Sequence, residues 1–250
     1  MSTKTALVTG AAAGIGKACA IRLAKEGMNV GVLDLDLAGC EAVVKEIEAA
    51  GGKAVALQAS IADRGQVTKA VEQLRSTFGP VTVLVNNAGI SIFVDFEEIT
   101  DQDWDQMFAV NVKGTFIVTQ VVLPDMKAAH WGRIVNISSS SAQTGGSPNL
   151  VHYAASKGAV ITMTKSLGNA LGQYGITVNN IPPGSVMNTV MSEANKAKWP
   201  ISDEQLAASL PVRRTGQPED IANACAWLVH EDTSYVTGQT IGVNGGRVPS

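Results

Sequence analysis

Tyr153 and Lys157 stand four residues apart, so on a helix a phenol and an ammonium project from the same face. A free phenol, with a pKa of ≈ 10, stays protonated near neutrality. Lowering that value by ~2–3 units takes about 3–4 kcal/mol of preferential stabilisation of the phenolate, within the reach of an adjacent ammonium. The chemistry open to such a pair is proton transfer to or from a substrate oxygen. A lone Tyr-x-x-x-Lys is more often an exposed helix pair, and a third group decides between the two readings. Ser139 follows the apolar run 133–137 and is expected at the carboxyl edge of a parallel sheet, facing the same crevice, where its hydroxyl would hold a developing alkoxide.

A second constellation, Thr9-Gly10-Ala11-Ala12-Ala13-Gly14-Ile15-Gly16, closes the first apolar run and opens an amphipathic segment. Glycines there permit a tight turn and the approach of a pyrophosphate to unpaired helix N–H groups. Asp34 ends the second apolar run about 20 residues further on, where a carboxylate accepts hydrogen bonds from ribose hydroxyls and so favours NAD. A 2′-phosphate at ~4 Å from it would be repelled by about 4 kcal/mol at an effective dielectric of roughly 20. Ala11, Ala12, Ala13 and Leu35 offer no cation in compensation, and Lys17 lies a turn into the helix.

Positioning these groups requires regular elements. Short apolar runs at 5–9, 29–33, 54–57, 81–85, 134–137, 177–181 and 240–243 read as strands buried on both faces of a parallel sheet. Between them, helices are predicted from Ile15, Cys19 and Leu23 onward, then over 38–50, 67–78, 104–129, 153–173 and 218–229. The alternation calls for right-handed crossovers and a doubly wound, Rossmann-like α/β fold of about seven strands with helices on both faces. With no repeat or linker in its 250 residues, the chain reads as one domain, 1–250. The stretch 185–217 breaks the rhythm and reads as a substrate loop, with Met187, Met191 and Trp199 as pocket candidates.

The net charge of −3 gives no reason to expect nucleic acid or an anionic membrane as partner. Cys19, Cys40 and Cys225 lack metal-ligand spacing, His130, His152 and His230 pair with no second ligand, and no metal site is expected. Neither a signal peptide nor an uninterrupted apolar stretch of ~18 residues is seen, so a cytoplasmic protein is expected.

Taken in order, the Gly turn, Asn86-Asn87-Ala88-Gly89, Asn111, Ser139, Tyr153 with Lys157, Pro183-Gly184 and the glycines from Gly238 to Gly246 resemble the classical short-chain dehydrogenase/reductase family over nearly the whole chain. The resemblance implies Tyr153 as catalytic acid/base, Lys157 as the group that lowers its pKa and binds the nicotinamide ribose, and Ser139 as donor to the substrate oxygen. It implies Asn111 as holder of a water that links Lys157 to solvent. It also implies a cofactor site built from Gly10, Ala12, Gly14, Ile15, Gly16, Asp34 and Leu35, then Ser60, Ile61, Asn87, Ala88 and Gly89, and finally Tyr153, Lys157, Pro183, Gly184 and Val186. Homotetramers are usual in the family.

This sequence departs from the family pattern in three places. Ser60-Ile61 replaces an acidic residue and Val beside the adenine. Counting from Gly132-Arg133 selects Ser139 as the catalytic Ser, and one residue more than usual then separates it from Tyr153. The Thr expected four positions past Gly184 is Asn188, with Thr189 next, and either would suit the nicotinamide amide. Ser139, Ser141, Gln143, His152, Tyr153, Met187, Met191 and Trp199 are the substrate candidates, and Arg214 matches a structural Arg of the family rather than a phosphate clamp.

The reading is an NAD-dependent oxidoreductase that interconverts a secondary alcohol and a ketone, on a small hydrophobic alicyclic or aryl substrate. The alternative is a 3-oxoacyl thioester reductase, which Asp34 opposes because biosynthetic reduction usually draws on the phosphorylated cofactor. A dinucleotide-sensing binding protein is the reading from a different class.

Overall fold

The fold is that of a computed structural model, which describes residues 3–196 and 202–248. Six strands, β1 (Thr5–Thr9), β2 (Asn29–Asp34), β3 (Lys53–Gln58), β4 (Val81–Asn86), β5 (Gly132–Ile137) and β6 (Ile176–Ile181), form one parallel sheet in the order β3-β2-β1-β4-β5-β6. The connections carry α1 (Gly14–Lys25), α2 (Leu37–Ala49), α3 (Arg64–Phe78), α4 (Asp101–Phe108), α5 (Thr115–Ala128), α6 (Ser141–Thr144) and α7 (Val151–Leu171). After β6 come α8 (Val190–Lys196), α9 (Asp203–Ser209) and α10 (Pro218–Val229).

Successive strand residues point to opposite faces, and each face is buried. Ala6, Val8, Val30 and Val32 share a core cluster with Cys19 and Leu23 of α1, Val43 and Ile47 of α2, and Ile221 and Cys225 of α10. Leu7, Leu33 and Leu57 join the other cluster, with Val71 and Leu74 of α3 and Ile117 and Val122 of α5. Each such fully buried side chain contributes roughly 1.5–3 kcal/mol relative to exposure. The result is a Rossmann-like sheet with helices on both faces. Strand order reverses between β1 and β4, so the crevice opens where the Gly turn after β1 meets Asn87-Ala88-Gly89 after β4.

Two elements differ from expectation. The seventh strand, 240–243, is reduced to isolated parallel bridges, Asn180 to Thr240 and Pro183 to Val243. β6 runs into Pro182-Pro183, which have no N–H to donate, and a continuous ladder cannot form there. The long helix 104–129 begins earlier, at Asp101, where Thr100 and Asp103 form a capping box, and a π-helical segment, Ala109–Gly114, interrupts it. Its most apolar 18 residues reach a mean hydropathy of 1.4, enough for a membrane span by composition. Ile117, Val118, Val122 and Met126 are nevertheless buried against the sheet, as in a core helix.

Candidate active site

The first wall of the site is the turn between β1 and α1. Gly10 and Gly14 have φ of +63° and +54°, a conformation that glycine adopts at no cost. A Cβ on Gly10 would lie 2.8 Å from Ala88 Cα, and one on Gly16 would lie 2.0 Å from the Gly10 carbonyl oxygen. Asn87 braces the turn by donating from Nδ2 to the Thr9 and Gly10 carbonyls, both at 3.0 Å, while Thr9 Oγ1 accepts from the Asn87 and Ala88 N–H groups. The N-cap of α1, Ala13, gives no side-chain cap, and among the described residues no side chain is bonded to the opening N–H groups at the positive helix end. Asp34 closes this wall, accepting from the N–H of Ala12 at 3.2 Å, of Leu35 at 2.7 Å and of Asp36 at 3.2 Å. A backbone cradle that a Cβ would fill, ending in a carboxylate, fits a dinucleotide.

The second wall is the carboxyl edge of β5 with the start of α7. Tyr153 is buried, with its hydroxyl beside that of Ser139. Ser139 is half-buried, and its Oγ accepts from the Ser141 N–H at 3.1 Å. Lys157 extends beneath, its Nζ donating to the Ile137 carbonyl at 2.9 Å and lying 6.0 Å from the centre of the Tyr153 ring. Burial raises the Tyr153 pKa above its ordinary value, opposed by the neighbouring Ser139 hydroxyl, and burial lowers that of Lys157 to about 8. Without nucleotide, therefore, the environment holds the phenol protonated rather than activating it.

Asn111 lies in the π segment, with Oδ1 accepting from the Ile90 N–H at 2.8 Å and Nδ2 donating to the Ile90 carbonyl and Ser156 Oγ, both at 3.0 Å. A Cβ on Gly89 would lie 3.0 Å from Asn111 Oδ1 and 3.1 Å from Lys157 Nζ, so that glycine makes room for both polar groups; Lys157 lines the cleft, whereas Asn111 is buried behind Gly89 and does not.

Both walls face one cleft of about 930 Å³, which Gly10, Gly14, Ile15, Asp34, Asn87 and Ala88 line on the first side. Gly89, Ser139, Ser141, Tyr153 and Lys157 line it on the second, and Pro183, Gly184, Val186, Met187, Thr189 and Met191 cover it from the segment after β6.

Other sequence candidates lie elsewhere. Ala12 and Gly16 shape the turn from behind. Leu35 is exposed beyond the cleft, and Ile61 is buried against Gly114, while the Ser60 N–H donates to Gln66 Oε1 at 2.9 Å. Gln143 is exposed on α6 and does not line the cleft. Asn188 takes a φ of +59° and donates from Nδ2 to Gln217 Oε1 at 2.8 Å, which turns it away and leaves Thr189 beside Gly14.

His152 is fully buried on another side of α7 from Tyr153, since neighbours on a helix diverge, and it does not line the cleft. Burial lowers its pKa, against the pull of Asp103. Arg214 forms a two-pronged pair with Asp220 at 2.6 and 2.9 Å and fastens the stretch before α10 to that helix. Trp199 lies outside the described residues.

The sequence reading missed Phe93, Leu150, Leu206 and Arg247, all of which line the cleft. Only Arg247 left a trace, as a cation placed directly after the glycines at the chain's end.

A model of the short chain dehydrogenase family matches residues 4–199. The chain belongs to the short-chain dehydrogenase/reductase family. It is therefore an oxidoreductase that acts at a carbonyl or hydroxyl group with a nicotinamide cofactor. Among this family's members it is 42% identical, over 98% of both chains, to the 3-oxoacyl-(acyl-carrier-protein) reductase FabG of Staphylococcus aureus (strain Mu50). It is 38% identical, over 99% of this chain and 97% of the other, to the (2S)-((R)-hydroxy(phenyl)methyl)succinyl-CoA dehydrogenase subunit BbsD of Thauera aromatica. An actinorhodin polyketide ketoreductase solved with NADPH superposes with a TM-score of 0.92 at 35% identity, covering 98% of each chain.

Proposed function

We propose that this short-chain dehydrogenase/reductase interconverts a 3-hydroxyacyl and a 3-oxoacyl thioester, using NAD(H). The observation that carries the reaction type is the convergence of Ser139, Tyr153 and Lys157 in the same cleft as the Gly turn and Asp34. The names of the relatives favour a thioester substrate over the small alicyclic or aryl ketone expected from sequence, while Asp34 favours the unphosphorylated cofactor.

When bound, the nicotinamide accepts or returns the hydride. Tyr153 Oη removes the proton of the substrate hydroxyl in oxidation and returns it in reduction. Ser139 Oγ donates a hydrogen bond to the same oxygen as charge develops on it. Lys157 stabilises the phenolate and holds ribose hydroxyls, Thr189 rather than Asn188 meets the nicotinamide amide, and Asn111 carries the relay toward solvent. The whole chain acts as one catalytic unit, with the described parts of 185–217, residues 185–196 and 202–217, covering the substrate.

Oxidation of NADH, followed by its absorbance, tests this. 3-Oxobutyryl-CoA should be reduced with a kcat/KM at least tenfold above that for cyclohexanone or acetophenone. The reverse ranking would restore the small-ketone reading, and turnover of none would favour a dinucleotide sensor.

The protonation state gives a second expectation. In the nucleotide-free protein, tyrosinate absorbance that Tyr153→Phe abolishes should appear above the ~10 of free Tyr, and NAD binding should move it down. Because the phenolate is the base, oxidation should rise with pH through that lowered ionisation. A Tyr153 ionisation already below the free value without nucleotide would contradict the dominance of burial.

A homotetramer is also proposed, with exposed Trp104 and Phe116 on the α4 and α5 face and exposed Trp227 and Tyr235 near the chain's end as contact candidates. Light scattering should give about four times 26.0 kDa, and a monomer mass at micromolar concentration would overturn the assembly.

A further inference from the structure

The cleft holds a second cation to which the reaction, as described, gives no task. Arg247 lines it together with Tyr153, Met187, Met191 and Leu206. Arg247 Nη1 donates to Ser185 Oγ at 2.8 Å, and its backbone N–H donates to the Asn244 carbonyl at 3.2 Å. Asn244 Nδ2 donates in turn to the Val248 carbonyl, and Asn244 Oδ1 accepts from the Gly246 N–H. The turn lies directly on the segment after β6, since a Cβ on Gly184 would sit 2.9 Å from Asn244 Cα. The guanidinium is thus placed by two packed segments, and Ser185 engages only one of its five N–H donors.

Among the described residues that line the cleft, the other cation is Lys157, whose ammonium is buried and bonded to the Ile137 carbonyl. Asp203 and Glu204, in the first turn of α9, border the same cleft, each engaged in an interaction of its own. A planar guanidinium pairs with two oxygens of a carboxylate or phosphate at once, which gives geometric selection as well as charge.

We infer that Arg247 determines specificity by binding an anionic oxygen group of the substrate while Met187, Met191 and Leu206 cover its apolar chain. This rests on the thioester reading and deepens it. Two parts of such a substrate supply that chemistry, namely a carboxylate on the acyl chain and the phosphates of the thioester carrier.

Three substrates separate them: 3-oxobutyryl-N-acetylcysteamine, which is neutral, 3-oxoadipyl-N-acetylcysteamine, which adds a carboxylate, and 3-oxobutyryl-CoA, which adds phosphates. The quantity read is the ratio of kcat/KM for each anionic substrate to that for the neutral one. In Arg247→Met at least one ratio should fall tenfold or more, mainly through KM, and Arg247→Lys should recover part of it. The ratio that falls identifies the group. If both ratios stay within twofold of the unmodified protein, the inference is overturned. If the unmodified protein reduces no thioester but reduces cyclohexanone, the thioester reading fails on its own, and 4-oxocyclohexanecarboxylate against cyclohexanone puts the same question to Arg247.

Discussion

Tyr153→Phe should lower turnover by at least ~100-fold, the lower end of what acid–base catalysis contributes, while leaving the fold and NAD affinity intact. The ring keeps its packing against Met107 and Leu150, and only the hydroxyl beside Ser139 is removed. That hydroxyl lies beside Ser139 at the cleft, so the loss belongs to the chemical step and should be seen in single-turnover hydride transfer. Lys157→Ala should differ in kind, costing turnover and cofactor affinity together, because the same ammonium serves phenolate and ribose.

Retention of more than about a tenth of the turnover in Tyr153→Phe would make the assignment of the base untenable. The structure removes the obvious substitute. His152, adjacent in sequence, is fully buried and does not line the cleft, so a residual activity would have to come from another group in it.

Much of this was readable because each signal is local. The run 5–9 is β1 to the residue, and 218–229 is α10 with Pro218 at its first position, where a missing N–H costs nothing. Glycine spacing, Asp34 and the Tyr153–Lys157 pair each report a short stretch of backbone whose geometry is set by its own residue types. What could not be read depends on partners distant in sequence. The π segment is tied to Ile90 by Asn111, and Arg247 reaches the cleft only because the chain's end folds onto Ser185. The different placement of Asn188 and Thr189 comes from backbone hand: Asn tolerates the left-handed region far better than a β-branched residue, and Thr189 faces Gly14.

NAD should be preferred over NADP by at least ~100-fold in kcat/KM, equivalent to about 2.7 kcal/mol, even though the structurally similar ketoreductase was solved with NADPH. Asp34 accepts from three backbone N–H groups, which hold its carboxylate at the end of β2 where it cannot swing away from a 2′-phosphate. The residues around it bring no cation, since Leu35 is exposed and Lys17 is paired with Glu46 at 2.8 Å. Removing the charge and supplying a cation, with Asp34→Ala and Leu35→Arg together, should narrow the ratio at least tenfold or reverse it, because the exposed position 35 admits the longer side chain without repacking. Asp34→Ala also deletes the three backbone contacts and loosens the turn for both cofactors. Asp34→Asn separates the two effects, since an amide oxygen still accepts N–H groups while the charge is gone. If the carboxylate acts by repulsion, Asp34→Asn should gain NADP efficiency while losing less with NAD than Asp34→Ala does. Equal efficiency with the two cofactors in the unmodified protein would show that the end of β2 does not select the nucleotide.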